Sequence, residues 1–367
     1  MDYPRSLSVI NDWAFPMVRA VRMFLPAVLL VVVGVSGCGG AKTSDDPPTI
    51  GFVSQNTSRD FSREMSEGFR AGAAIAGGVK TEVTGPDTHD GLKQAELLRD
   101  LATKAKGGIG LSAVAPELVA EPMAQVIEQG IPLIAVGGGQ VAPGSGVRLL
   151  IENDNYELGR MLADAAAEKL PPDSAGKVVI GSNSPAMPAL DQRAAGLRAR
   201  LVERFPKLQV IGPLDTGRDL PANLATWQRL ADANPDALAL LGAGDVDAIN
   251  LAAVHAEKNA RWLAAAFSLD MKALQGVKDG HLFASVSAEH FLKGAVAGWL
   301  LAEHAKNGRA LPEGWLVAPG LVVRESNVDE IIHRQAGETN RLEAARPHID
   351  ALTAEPAKNL RPLDQVR

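Results

Sequence analysis

Residues 49–76, TIGFVSQNTSRDFSREMSEGFRAGAAIA, decide how the chain is read. The run 50–53 is short and apolar, as a buried strand is, and it feeds a polar loop over 54–60. Beyond the loop, Met65, Phe69, Ala73 and Ala76 recur at the spacing that puts side chains on one face of a helix. Strand, loop and helix in that order make the first unit of a parallel α/β sheet. Ligands of such sheets sit just past the carboxyl ends of the strands. Asp60, Phe61 and Ser62 therefore stand at the mouth of any site.

The same alternation continues outward. Strands are expected over 79–83, 108–113, 131–136 and 147–151, separated by helices over 91–106 (Leu92, Leu98 and Leu101 inward) and 117–129. The run 131–136 passes directly into Gly137-Gly138-Gly139-Gln140. A helix over 156–170 opens a second series, with strands over 177–181, 208–214, 237–241, 262–267 and 283–286. Its helices fall over 190–205, 220–233, 246–258 and 271–278; a further helix over 289–307 returns to the first series and a last strand covers 320–323. Strands alternating with helices of this length imply βαβ units and parallel sheets. With 367 residues, 46% of them hydrophobic, the chain has material for two such lobes.

Several short motifs in this frame resemble one family. The opening strand with its polar loop, then Asp60-Phe61 and Glu67-Gly68-Phe69, is similar to the start of the periplasmic sugar-binding proteins of the ribose-binding type. Those are type I periplasmic binding proteins, the solute-capturing component of ATP-driven (ABC) importers. Asp154-Asn155-Tyr156 with Gly159 resembles a pattern the family carries where the chain crosses into its second lobe. Arg193-Ala194-Ala195-Gly196-Leu197 fits the family's Arg-x-x-Gly-Phe, and Arg324 to Asp329 resembles its usual terminus. The resemblance covers about 49–332. It implies an α/β fold of two similar Rossmann-like lobes with parallel sheets, joined by a multi-strand hinge. The first lobe would comprise 49–152 plus 289–318 and the second 153–288 plus 319–334, leaving 335–367 as a charged tail with an amphipathic helix.

The N-terminal segment points to export. Arg19 and Arg22 precede an apolar run over 24–35 that ends in Val35-Ser36-Gly37-Cys38. A positive start, a short apolar middle and small residues before a cut mark a secretory signal, and the run is too short to span a membrane. Small residues followed by Cys resemble the bacterial lipoprotein signal, which implies a signal peptide over 1–38, lipidation of Cys38 and a tether over 39–48. The expectation is a periplasmic or cell-surface lipoprotein held to a membrane. Cys38 is the single cysteine, so there is no disulfide framework. A formal net charge of -6 gives no electrostatic case for nucleic acid.

Sugar capture needs aromatic rings against apolar C–H faces and planar hydrogen-bonding partners for hydroxyls. The resemblance implies that these stand on strand-to-helix loops of both lobes. Phe61 is either the stacking ring or a staple packing the helix entrance, and Asp60 either a ligand contact or a helix cap. Ser112, at the end of the strand 108–113, occupies a position where the family places a polar contact. Gly137 and Gly138 stand where sugar-binding relatives carry an Asp-Arg pair. They form a tight turn, or a set of backbone N–H groups that would accept a carboxylate or phosphate. Arg193 is the candidate ligand arginine, or a surface arginine pairing with Asp191 or Glu203; Asp191 and Arg218 are further candidates. Asp245 either contacts ligand or caps the next helix. Asp270 stands two residues beyond the family's usual carboxylate, and Glu289 is the residue near the final polar contact expected to point inward.

Enzyme readings find no support in the pattern. The seven histidines show no metal-ligand spacing, and Ser182 and Ser184 lack a Gly-x-Ser-x-Gly elbow. No catalytic group, metal or cofactor is expected. The resemblance implies capture of a small polar, sugar-like solute and its delivery to an ABC permease. The alternative is a ligand-sensing receptor for a sensor kinase; a repressor of the related type is opposed by the signal peptide and the missing helix-turn-helix.

Overall fold

In the computed structural model, which describes residues 46–366, the first strand, β1 (Thr49–Val53), sends Ile50 and Phe52 to one face of a sheet and Val53 to the other. That alternation of period two lets one strand serve two cores. The lobe continues through α1 (Asp60–Ala76), β2 (Lys80–Thr84), α2 (Gly91–Ala102), β3 (Ile109–Leu111), α3 (Pro116–Glu128), β4 (Leu133–Val136) and β5 (Leu149–Asn153). The chain then crosses to a second lobe: α4 (Asn155–Ala167), β6 (Gly176–Ser182), α5 (Pro188–Arg204), β7 (Leu208–Asp215), α6 (Leu220–Ala233), β8 (Ala239–Gly242), α7 (Asp245–Lys258), β9 (Leu263–Ala266), α8 (Met271–Lys278) and β10 (Ala284–Ser287). It returns with α9 (His290–Asn307) and β11 (Gly314–Ala318), and crosses again to β12 (Leu321–Val323) and α10 (Val328–Gln335). A fourth crossing brings α11 (Glu338–Ala354) and β13 (Leu360–Arg361) to the first lobe.

The first lobe holds a seven-stranded sheet in the order β13-β11-β5-β4-β3-β1-β2, and the second a six-stranded sheet in the order β12-β10-β9-β8-β6-β7. All pairings are parallel except β11 with β13 and β10 with β12, each at a sheet edge. The fold is thus two α/β lobes with mostly parallel sheets. β11 lies outside the strands expected from sequence. Residues 335–367, read from sequence as an appended tail, put Ala345, Ile349 and Leu352 into the core beneath α1 and α9 and add the edge strand β13. Cys38, the expected signal peptide and most of the expected tether lie outside the described residues.

Helices cover both faces of each sheet. In the first lobe α1, α9 and α11 pack on one face, around Phe52, Phe69 and Ile151, while α2 and α3 cover the other. Complete burial of a side chain such as Phe69 contributes about 1.5–3 kcal/mol. Leu92, expected inward, is 71% exposed, because the buried stripe of α2 runs through Gln94, Leu98 and Leu101. In the second lobe α4 and α5 form one layer and α6, α7, α8 and α10 the other.

The helix pair next to each crossing packs backbone to backbone. Gly68 and Gly72 of α1 meet Gly294 and Gly298 of α9; a methyl group on any of them would collide with a backbone carbonyl of the opposite helix. In the second lobe Gly159 of α4 and Gly196 of α5 stand in the same relation to Arg193 and Tyr156.

Candidate functional site

The carboxyl ends of both sheets face one cavity of about 240 Å3, walled by residues of both lobes. Asp60, Phe61, Gly137, Gly138, Arg193, Arg218, Asp245 and Asp270 line it. Phe61 stands at the first turn of α1 with its ring 5.3 Å from that of His290 and 6.4 Å from that of His89. Asp60 does not cap α1: Arg59 is the N-cap residue and Asp60 pairs with Arg63. Asp270 does cap a helix, accepting from the Lys272 N–H at 2.7 Å.

Ser112, Asp191 and Glu289 are not part of the wall. Gln55, in the β1–α1 loop, screens Ser112 from the cleft, donating to its hydroxyl at 3.3 Å and to the Ala113 carbonyl at 3.1 Å. Asp191 is exposed because Arg193, two residues along α5, faces inward, and successive helical residues turn by about 100°. Glu289 adopts a left-handed conformation (φ 46°) that turns its carboxylate away, onto Arg334 through bonds of 2.9 and 3.1 Å. The Ser287 hydroxyl completes that arrangement at 2.7 Å.

Arg193 is buried and pairs with neither Asp191 nor Glu203. Its Nε donates to Asn155 Oδ1 at 2.9 Å, and its guanidinium carbon lies 4.9 Å from the centre of the Phe267 ring. Glu203 is held instead by Arg160 and Arg200. Asp245 begins α7 and accepts from Asn183 Nδ2 at 3.0 Å; the buried Asn183 Oδ1 has no partner among the described residues.

The loop that carries Arg218 is fixed from below by Asp247. Its Oδ1 accepts from Thr216 (2.6 Å), Asn223 (2.9 Å) and Trp227 (3.0 Å), and its Oδ2 accepts from the Gly244 N–H (3.1 Å). Burial raises the Asp247 pKa against the pull of these donors. The same carboxylate therefore ties the Arg218 loop to the turn bearing Asp245.

The turn Gly137-Gly138-Gly139 has φ of 72°, 83° and 91°, three successive left-handed residues that only glycine adopts without strain. It is not an open anion nest. The Gly137 N–H goes to the Ile151 carbonyl, and the Gly139 N–H is taken at 2.8 Å by Glu152 Oε2. The turn does hold a carboxylate, but one supplied by the next strand.

Glu152 is the residue the sequence reading missed, together with Lys293. Lys293 Nζ, fully buried in α9, donates to Glu152 Oε1 at 2.7 Å and to Asn153 Oδ1 at 2.8 Å. Burial pushes the Glu152 carboxyl up, but the adjacent ammonium and the Asn153 N–H outweigh it and hold its pKa below the usual range. Lys293 is lowered by burial, with Glu152 opposing. Both line the cleft, as does His290, kept neutral by burial and by the nearby Lys293 and Arg193. Each left a trace in the sequence. Glu152 is a charge at the carboxyl end of an apolar strand, and Lys293 is a lone cation in an apolar stretch of helix.

Glu64, one turn beyond Asp60 in α1, also faces the cleft and accepts from Gln335 Nε2 at 3.3 Å. Burial raises its pKa to about 7; Arg341 pulls it back and Glu289 pushes it further up. Between its ordinary value of 4.5 and about 7 the folded protein keeps a proton that the unfolded chain releases, so this group's contribution to stability falls as pH rises through that window. Glu64→Gln is expected to leave stability unchanged near pH 4.5 and to raise it by about 1–3 kcal/mol at pH 8, after allowance for solvent screening. Urea unfolding at both pH values measures this. Equal stability of the two proteins at pH 8 contradicts it.

Residues 50–310 match the family described as periplasmic binding protein domain. No curated protein sequence matches the chain. Among solved structures, it is similar to an ABC transporter solute-binding protein from Burkholderia graminis in complex with D-arabinose: TM-score 0.70, 21% identity, covering 77% of this chain and 96% of that one. A solute-binding protein from Actinobacillus succinogenes with bound D-allose gives TM-score 0.70 at 18% identity, covering 77% and 99%. A periplasmic ribose ABC transporter protein from Conexibacter woesei gives 0.68 at 17%, covering 83% and 99%. At these identities the likeness establishes the shared fold.

Proposed function

The chain belongs to the periplasmic binding protein domain family, and on that premise we propose that it captures a small hydroxylated solute, a sugar or sugar derivative, between its lobes. The observation that carries the proposal is the cavity itself. Phe61 presents an apolar ring to it, and Arg193, Asn183 and Asp245 present planar hydrogen-bonding groups from the opposite lobe. Its volume, about 240 Å3, lies below the ~300–1,000 Å3 of sites for drug-sized molecules and suits a monosaccharide. Proteins of similar fold hold D-arabinose and D-allose.

Lobe closure is the functional step. Gln192 Nε2 of the second lobe donates to the Gly139 carbonyl of the first at 3.3 Å, and ligand contacts from both lobes would add affinity that exists only in this closed form. A membrane permease of an ATP-driven importer then reads the closed shape. Export, lipidation at Cys38 and anchoring to a membrane complete the reading, which requires binding without bond-making. The experiment is a thermal-shift series with the full chain against D-arabinose, D-allose, D-ribose, polyols and sugar acids. A ligand at 100 times its Kd stabilises by about 2.7 kcal/mol. A melting temperature indifferent to the whole series would sink the proposal.

A further inference from the structure

Two cleft arginines from opposite lobes meet without a direct ion-pair partner among the described residues. Arg59, in the β1–α1 loop, donates from Nη2 to the backbone carbonyl of Arg218 at 2.9 Å. Arg218 itself donates from Nε to the Ser184 hydroxyl at 2.6 Å and from Nη2 to the Met187 sulfur at 3.7 Å. Among the described residues neither guanidinium forms an ion pair. Asp60 pairs with Arg63; Asp245, which accepts from the Asn183 amide, keeps its charge and attracts Arg218 without forming an ion pair with it. His89 adds no negative charge; burial, then Arg218 and Arg59, bring its pKa down to about 3, so it remains a neutral imidazole beside them.

We infer that Arg59 and Arg218 form an anion subsite at the cleft and that the captured solute carries a carboxylate or phosphate on its hydroxylated frame. The inference deepens the solute-capture reading and rests on it. Guanidinium groups present rigid forks that match the oxygens of either anion, and two of them from opposite lobes can share one. Closure of an empty cleft brings like charges together and is disfavoured. Closure on an anion replaces that repulsion with charge-assisted hydrogen bonds from both lobes. The subsite thereby ties ligand charge to the closed state, since only differential affinity for that state can drive closure.

The test is calorimetric titration of the full chain with matched pairs: D-galactose against D-galacturonate, and D-ribose against D-ribose 5-phosphate. At least one acidic member should bind about 10-fold or more tightly than its neutral partner, a gap of about 1.4 kcal/mol. The pair that shows the gap says whether the anion is a carboxylate or a phosphate. In Arg59→Gln/Arg218→Gln the preference should fall to about 2-fold or less because the acidic member loses far more affinity than its neutral partner, a selective loss that general damage to the cleft would not produce. Arg218→Lys, which keeps the charge and loses the fork, should retain part of the preference, and unchanged melting temperatures exclude misfolding. Equal binding of neutral and acidic members, or an acid preference that survives in the double variant, overturns the subsite while leaving solute capture intact. Failure of all four sugars to bind counts against both.

Discussion

Gly72→Val is expected to cost the protein at least about 3 kcal/mol, a large part of the ~5–15 kcal/mol by which a typical domain is stable. Position 72 lies where α1 rests directly on α9, and a Cβ there would occupy the space of the Ala295 carbonyl. Neither side can yield by a rotamer change, because the colliding atoms are backbone on both helices. The helices must separate, and separation opens voids around Phe69, Ala73 and Ala295 in the same core. Valine is a better helix former than glycine, so propensity works against the expected loss, and Ala74→Val, on the exposed side of the same helix, shows what a valine costs without the helix contact. That substitution should cost no more than about 0.7 kcal/mol. Denaturant midpoints of the two variants decide the matter; a Gly72→Val protein as stable as Ala74→Val would show that the contact tolerates a side chain. Because α1 begins with Asp60 and Phe61, a partly folded Gly72→Val protein should also lose ligand affinity.

The same glycines explain how much the sequence disclosed. Glu67-Gly68-Phe69, the Gly159 of the Asp-Asn-Tyr motif and the Gly196 of the Arg-x-x-Gly motif carry the family resemblance, and all three glycines turn out to be helix-contact positions. The motifs therefore encode the lobe architecture, and a reading built on them recovers the α/β class, the mostly parallel sheets and most of the helix positions. They carry far less about the site. Phe61 and Arg193 line the cleft because their places are set by the start of α1 and the inner face of α5; the strand-loop-helix pattern gave the first position and the family motif the second. Glu289 had no such rule behind it: its direction follows from a positive φ and from Arg334, which is 45 residues away in sequence. Ser112 was hidden by Gln55 from a different loop. Lys293 and Glu152 meet across 141 residues, a pairing that no local pattern reports. The strand β11 was missed because its partner β5 is separated from it in sequence by the whole of the second lobe's β6–β10 series, so no neighbouring βαβ unit announces it.

Lys293→Met is the second substitution expected to act strongly, with a loss of about 3–5 kcal/mol. Glu152 and Lys293 are both almost completely buried, and their side chains stand at 2% and 1% exposure. Two ions removed from water lose hydration worth several kcal/mol each, which their mutual attraction and the surrounding hydrogen bonds offset. Methionine fills the volume of the lysine stem but leaves Glu152 charged, hydrogen-bonded only to the N–H groups of Gly139 and Asn153, with Arg193 as the remaining nearby cation. The carboxylate must then take up a proton or remain unpaired, and either disturbs its bond to Gly139. That bond fixes a turn of three left-handed residues whose last member packs on Ala189 and receives Gln192 from the second lobe. The damage should therefore reach closure as well as stability. Glu152→Gln keeps the shape and removes the charge, and on the wild-type background it leaves the ammonium as the uncompensated ion. Joined to Lys293→Met, it removes both ions at once. The double variant should be more stable than the sum of the single losses predicts by at least about 1 kcal/mol, the size of coupling found for residues in direct contact. Denaturant unfolding of the four proteins measures that coupling. Strict additivity would mean that the two charges are stabilised separately, by backbone and solvent, and that the glycine turn does not depend on the lysine.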